Sequence, residues 1–179
     1  MPTHIALLRG INVSGHNLIP MERLRASFAE LGFGEIKTYI QSGNVIFTTA
    51  RKSTAAVAKK ITEKILNDFG FDVPVIVRTH AELNEVVKKN PFLPGAATDP
   101  AKLHVTFLSA AAPPTATKSL QPLAAATERF QVCGREVYLR FPAGYGVTKL
   151  SNSAIEKKLS VSATTRNWKT VTTLLAMTQ

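Results

Sequence analysis

Between residues 4 and 79 the apolar residues switch between a period of two and a period near four, in a fixed order that few folds accommodate. Residues 4–9 (HIALLR) are apolar on both faces of a strand, as in a central strand. Gly10 to Asn17 form a polar loop with two glycines. Pro20 suits a helix start, Met21, Leu24, Phe28 and Leu31 follow a helical stripe, and Gly32 closes it. Residues 35–40 (EIKTYI) and 44–49 (NVIFTT) read as strands joined by a turn through Ser42-Gly43. Val57, Ile61, Ile65 and Phe69 recur every four residues and predict a second helix. Residues 73–79 (VPVIVRT) complete the set as a strand whose Pro74 confines it to a sheet edge.

The order β-α-β-β-α-β is that of a ferredoxin-like half. A capping box, Thr79 to Glu82, then opens a helix through Lys89. Residues 90–100 (NPFLPGAATDP), with three prolines and a glycine, are the expected linker. Beyond it the order begins again. Residues 102–108 alternate as a strand, and a short helix weakened by Pro122 follows Ala110–Thr117. Arg129–Cys133 and Glu136–Phe141 read as a hairpin turning at Gly134. A glycine-rich loop, 142–148, leads to a helix near 151–159, and a last helix is expected from about Thr165 to Met177. The fold class is therefore α+β, with two tandem ferredoxin-like halves, 1–90 and 100–179, forming one compact unit. The repeat lies in element order alone, because the residues themselves do not repeat. The second half ends in a helix where the first has its fourth strand, which leaves a sheet edge to be covered.

Charge separates the halves further. Residues 1–100 carry twelve Lys/Arg and nine Asp/Glu, a net of +3, whereas residues 101–179 carry ten and three, a net of +7. Such a field attracts polyanions or phosphorylated ligands, or is only a solvated basic surface. Cys133 is the single cysteine, so no disulfide within the chain forms, and a structural zinc site would need His and acidic residues to supply its other ligands. The apolar run Ile5 to Leu8 is too short for a signal peptide, and no stretch approaches the ~18 apolar residues of a membrane span. The expected location is the cytoplasm, without membrane attachment.

Four polar clusters sit at element ends. Arg9-Gly10-Ile11-Asn12 with Ser14 to Asn17 occupies a strand-to-helix junction, where glycines let backbone N–H groups approach a ligand, or simply cap a loop. Gln41, Ser42 and Asn44 are residue types that hairpin turns favour on conformational grounds. Gly144-Tyr145-Gly146-Val147-Thr148-Lys149, with Ser151 to Ser153, has the ingredients of a phosphate cradle or of a capped flexible loop. Thr164 to Lys169 ends the series: Thr165 is read as the cap of the last helix, and Arg166 and Asn167 as its first turn, where Arg opposes the helix dipole. Trp168 is read chiefly as core. Arg9, Asn12, Lys149, Arg166 and Asn167 are thus the candidate ligand-binding residues.

Standard catalytic signatures are missing. There is no Rossmann or Walker glycine spacing, no H-E-x-x-H and no G-x-S-x-G, and acidic residues are few. No catalytic residue, cofactor or metal is assigned. For RNA binding, the relevant sheet face would carry His104, Thr106, Tyr138 and Arg140, opposite a core face of Leu103, Val105, Phe107, Val137, Leu139 and Phe141; one tyrosine without an RNP1 pattern is a weak platform. The favoured reading is a protein that binds a phosphorylated small molecule or nucleic acid through its basic C-terminal half. A small enzyme for an anionic metabolite, or an interaction module using an open sheet edge, stands as the alternative.

Taken together, LLRGINVSG (7–15), TYIQSGNVIF (38–47), VPVIVRT (73–79), LHVTFL (103–108), the Gly144–Leu150 loop with EKKL (156–159), and TTRNWKTV (164–171) resemble the bacterial domain of unknown function 1697. The resemblance runs in order over nearly the whole chain. It implies a cytoplasmic bacterial α+β protein and carries no activity, ligand or catalytic residue. Ser14 stands where a glycine is common in that family, and Val147 where a polar or basic residue precedes the Thr148-Lys149 pair.

Overall fold

The computed structural model of the chain describes residues 1–93 and 98–179. These hold two four-stranded antiparallel sheets and six α-helices, an α+β architecture. They divide into two compact units: Met1–Asn84 with Leu174–Gln179, and Glu85–Thr173. Of the expected linker 90–100, residues 94–97 lie outside the described residues.

The first unit contains β1 (Thr3–Leu8), α1 (Met21–Glu30), β2 (Gly34–Tyr39), β3 (Asn44–Thr48), α2 (Thr54–Phe69) and β4 (Val75–Thr79), and α3 (His80–Lys88) follows. Its strands lie in the order β2-β3-β1-β4. Pro74 falls just outside β4, which is an edge strand, and its carbonyl accepts from Arg9 N–H at 3.0 Å. The period-two residues Ala6, Leu8, Val45, Phe47, Val75 and Val77 form one core with the period-four residues Leu24, Phe28, Val57, Ile61 and Ile65. Ser53 caps α2 by accepting from Ala56 N–H, and Gly70, at φ 76°, ends it in the left-handed conformation.

The second unit contains β5 (Leu103–Leu108), α4 (Ala116–Leu120), β6 (Arg129–Cys133), β7 (Glu136–Arg140), α5 (Asn152–Leu159) and β8 (Ala163–Asn167), with α6 (Trp168–Met177) after it. Its sheet order is β6-β7-β5-β8. Leu108, Val137, Leu139, Phe141 and Ala163 pack with Leu120, Ile155 and Leu159. Pro122 sits in a 3-10 turn that follows the short α4.

Two expectations are corrected here. Residues 163–167 are not the start of the last helix but an edge strand paired to β5, so the second sheet has its fourth strand. The two threonines favour that conformation as β-branched residues, and Asn167, not Thr165, accepts from Thr170 N–H at 2.8 Å at the helix start. The sheet faces are also reassigned. Leu103, Val105 and Phe107 lie across from Arg140, Tyr138 and Glu136, so these share a face, whereas His104 and Thr106 share the other with Leu139 and Val137. Tyr138 is 1% exposed and donates to the Val86 carbonyl at 2.8 Å, which removes it as a stacking platform for RNA.

The two halves repeat in their main-chain bonds. Leu8 N–H donates to Gly43 O as Leu108 N–H donates to Arg135 O. Thr49 N–H to Pro2 O matches Phe141 N–H to Lys102 O, and Arg9 N–H to Pro74 O matches Ser109 N–H to Ser162 O. In this register His4 corresponds to His104, Arg78 to Arg166, and Thr79 to Asn167.

Candidate functional site

The second unit has a cleft of about 640 Å³ at one end of its sheet. Strand β5 supplies His104, which pairs with Leu139 on one side and Asn167 on the other. After β7 the chain turns: Phe141 N–H is tied to Lys102 O, Gly144 N–H bonds back to Phe141 O at 2.9 Å, and Gly144 adopts φ 91°. That positive φ suits glycine. The turn lays the Tyr145 ring against the His104 imidazole, with centroids 5.3 Å apart and planes at 27°. Phe141 packs at 5.7 Å from His104 and 6.0 Å from Tyr145. The remaining wall is the start of α6, where Asn167, Trp168, Lys169 and Thr172 line the cleft.

No carboxylate lines the cleft among the described residues, and Lys169 is exposed there. The first turn of α6 contains no acidic residue, so its N–H dipoles and Lys169 make this wall attractive to anions. Burial holds the His104 imidazole below the usual histidine range, the backbone of Lys102 pulling weakly the other way. The imidazole is therefore neutral at physiological pH, and the positive charge is gathered on the α6 side with Lys169.

The first unit provides a contrast at the same register. There Thr79 and Glu82 cap α3 reciprocally: Thr79 N–H donates to the Glu82 carboxylate at 2.8 Å, and Glu82 N–H to the Thr79 hydroxyl at 3.2 Å. A carboxylate already satisfies that helix start. Thr170 stands where Glu82 stands, so α6 lacks this compensation. His4 is 1% exposed, with Nδ1 at 3.0 Å from Pro2 O, whereas His104 is half-buried.

A smaller cleft of about 210 Å³ in the first unit, lined by Arg23, Ser27, Glu30, Asp68 and Phe69, has its polar groups engaged with one another. Ser27 donates to Asp68 at 2.6 Å, Lys64 pairs with Glu30 and Asp68, and Arg23 lies over the Phe69 ring. The Ser27 hydroxyl, followed by Lys64, holds the Asp68 carboxyl below the usual carboxylate range.

Arg9 and Asn12 belong to the first unit, and Lys149, Arg166 and Asn167 to the second. Asn12 is used as a clamp: Nδ2 donates to the carbonyls of Ile19 (3.0 Å) and Gln41 (2.8 Å), and Oδ1 accepts from Ile19 N–H (2.8 Å). Arg9 is half-buried beside it in sequence. Lys149 is exposed ahead of α5 and is not among the residues lining the cleft. Arg166 is 8% exposed and shares a sheet face with Val105, away from His104. Its guanidinium donates to the Thr164 hydroxyl (2.7 Å) and the Thr165 carbonyl (3.0 Å). Burial pushes its pKa down to about 10, with Tyr145 acting in the opposite sense. The guanidinium therefore keeps its proton at neutral pH. Its expected position against a helix dipole does not hold, because it lies in β8. Asn167 alone of the five lines the cleft.

Sequence reasoning missed His104 and Tyr145 as neighbours of Asn167, and placed Lys169 in the same cluster without naming it a candidate. The available signal was the alternation of β5, which puts His104 at the strand end next to the glycine-rich loop. Among the described residues, no group of three or more His, Cys, Asp or Glu is placed to hold a metal ion, and no helix is long and apolar enough to cross a membrane.

The chain is similar in structure to the conserved bacterial protein SP0830 from Streptococcus pneumoniae, with a TM-score of 0.78, 21% sequence identity and 99% of each chain covered. At that identity the likeness is one of fold. A comparison with curated proteins found no match. Residues 1–138 match a family described as protein of unknown function, DUF1697. With more than three quarters of its length matched, the chain belongs to the DUF1697 family.

Proposed function

We propose that the second half binds a small anionic molecule, of the phosphorylated class, in the cleft between the His104–Tyr145 stack and the start of α6. The observation that carries this reading is a cleft of about 640 Å³ lined by Lys169, Asn167 and aromatic rings, with no carboxylate among its lining residues. Its volume falls in the roughly 300–1,000 Å³ range of small-molecule sites. The excess of +7 in residues 101–179 adds a long-range field of the same sign. Asn167 and Lys169 are the polar anchors in this reading, and Arg166 braces the strand behind them. No carboxylate lines the cleft, which speaks for binding over carboxylate-driven hydrolysis.

Each half is, in the same proposal, a ferredoxin-like domain, about 1–90 and 100–179. The support is the βαββαβ order together with the sheet orders β2-β3-β1-β4 and β6-β7-β5-β8. A cytoplasmic protein is the matching cellular reading, supported by the single cysteine.

The test is thermal unfolding with phosphorylated small molecules at several salt concentrations. A ligand at 100 times its Kd stabilises a folded protein by about 2.7 kcal/mol. A specific phosphorylated compound should raise Tm in the unmodified chain and not in Lys169→Ala. Equal failure of all such compounds, at low as well as at physiological salt, would sink the proposal.

A further inference from the structure

We infer that the ligand of this cleft is a flat heteroaromatic ring joined to a phosphate, the chemistry of a mononucleotide, with the ring laid on Tyr145 and the phosphate directed to Lys169; this rests on the reading of the cleft as an anion site. The cleft has two chemically distinct walls. One is built of rings, with Tyr145 backed on one face by His104 and wedged by Phe141. Phe141 is fully buried and serves packing, whereas Tyr145 is half-exposed and lines the cleft. An aromatic side chain held rigid by two others, with a face left over, is a preorganised stacking surface. The opposite wall carries Asn167, Lys169 and the start of α6.

The first half shows that this arrangement is not a by-product of the fold. At the His104 position, His4 is sealed and stacked on the core ring of Phe47 at 5.7 Å. At the α6 position, α3 has its own carboxylate cap. The second copy has opened both places together, one towards a ring and the other towards an anion. The cleft's size limits the occupant to a small molecule, since a nucleic-acid strand needs a groove with successive stacking surfaces.

Trp168 is the only tryptophan of the chain and lines the cleft, so its fluorescence reports on the site. The experiment titrates the full chain with adenosine 5′-monophosphate, ribose 5-phosphate, adenosine and a short oligonucleotide. Adenosine 5′-monophosphate should change Trp168 emission saturably and bind at least about tenfold more tightly than ribose 5-phosphate, the lower part of the range for one base stacked on an aromatic side chain. Tyr145→Ala should abolish most of that advantage and leave ribose 5-phosphate binding unchanged, while Tyr145→Phe keeps it. Lys169→Gln, at an exposed position, should weaken both phosphates and preserve their ratio. Ribose 5-phosphate binding as tightly as the nucleotide would overturn the ring assignment and leave the anion site standing. Absence of saturable binding by either phosphate would overturn both. An oligonucleotide that binds more tightly than the mononucleotide, at the same Trp168 signal, would replace the small ligand by a strand.

Discussion

The imidazole of His104 lies on the ring of Tyr145, with centroids 5.3 Å apart and planes 27° apart. Burial lowers the pKa of that imidazole, so the folded chain prefers it neutral. In the unfolded chain a histidine titrates near pH 6.5. Below that pH the unfolded state binds the proton more readily, so stability rises with pH. The contribution is complete above about pH 6.5 and is lost as the pH falls, until the folded ring itself is protonated. Melting temperatures at about pH 7.5 and pH 5.0 should therefore drop more for the unmodified chain than for His104→Phe, which keeps a ring without the titration. Equal drops would remove His104 from the pH dependence.

Arg166 holds the strand that the α6 wall grows from. Its guanidinium bonds to Thr164 and Thr165 within β8. Hydrogen bonds to charged groups are worth about 1.5–3 kcal/mol. Arg166→Ala should lower stability by about that amount, which for a chain of this size is a Tm loss on the order of 5 °C. A chemical denaturation curve for the variant checks it, and an unchanged midpoint would mean the guanidinium braces nothing.

Gly43 and Gly10 separate two reasons for glycine. Both have positive φ, 93° and 72°. A Cβ on Gly43 would meet Leu8 Cβ at 2.8 Å and Ile11 Cγ1 at 3.0 Å, whereas one on Gly10 meets nothing within 4 Å. Gly10→Ala should cost about 1 kcal/mol, from the backbone conformation alone. Gly43→Ala adds overpacking of roughly 1–3 kcal/mol. The difference between their unfolding free energies measures the clash.

Asn12→Ala removes three hydrogen bonds that tie the loop after β1 to Ile19 and Gln41, and puts alanine at φ 54°. About 2–4 kcal/mol of stability should be lost. Amide hydrogen exchange should accelerate at Ile19, whose N–H bonds to Asn12 Oδ1.

The elements that sequence revealed are those whose side chains report their own burial. The stripe Val57, Ile61, Ile65 could only be a helix face, and it is the buried edge of α2. Strand β8 hid because ATTRN offers no apolar alternation, and because Arg166 is buried against the usual preference of its type. The last helix, expected from about Thr165 to Met177, reaches back over it. Register was hidden too, since Phe141 N–H to Lys102 O, a main-chain bond, decides which residues share a face with His104. The repeat between halves resides in such bonds, which any side chain permits. The cleft was illegible for the same reason: Asn167 stood out only as a polar residue near the start of the last helix, and its neighbours His104 and Tyr145 come from β5 and from the turn after β7.

The start of α6 differs from its counterpart in the first half by one capping residue. A capping residue typically contributes about 1 kcal/mol, and the first copy completes its cap with Glu82, one change of side chain from Thr170 in the corresponding place. In the second copy a buried Thr170 holds that position, and its N–H is capped by Asn167 Oδ1. Departures from local rules gather where a protein does something besides fold. The two halves therefore serve as a comparison within one polypeptide: on matching main-chain bonds, one helix start is closed by its own carboxylate and the other by an amide.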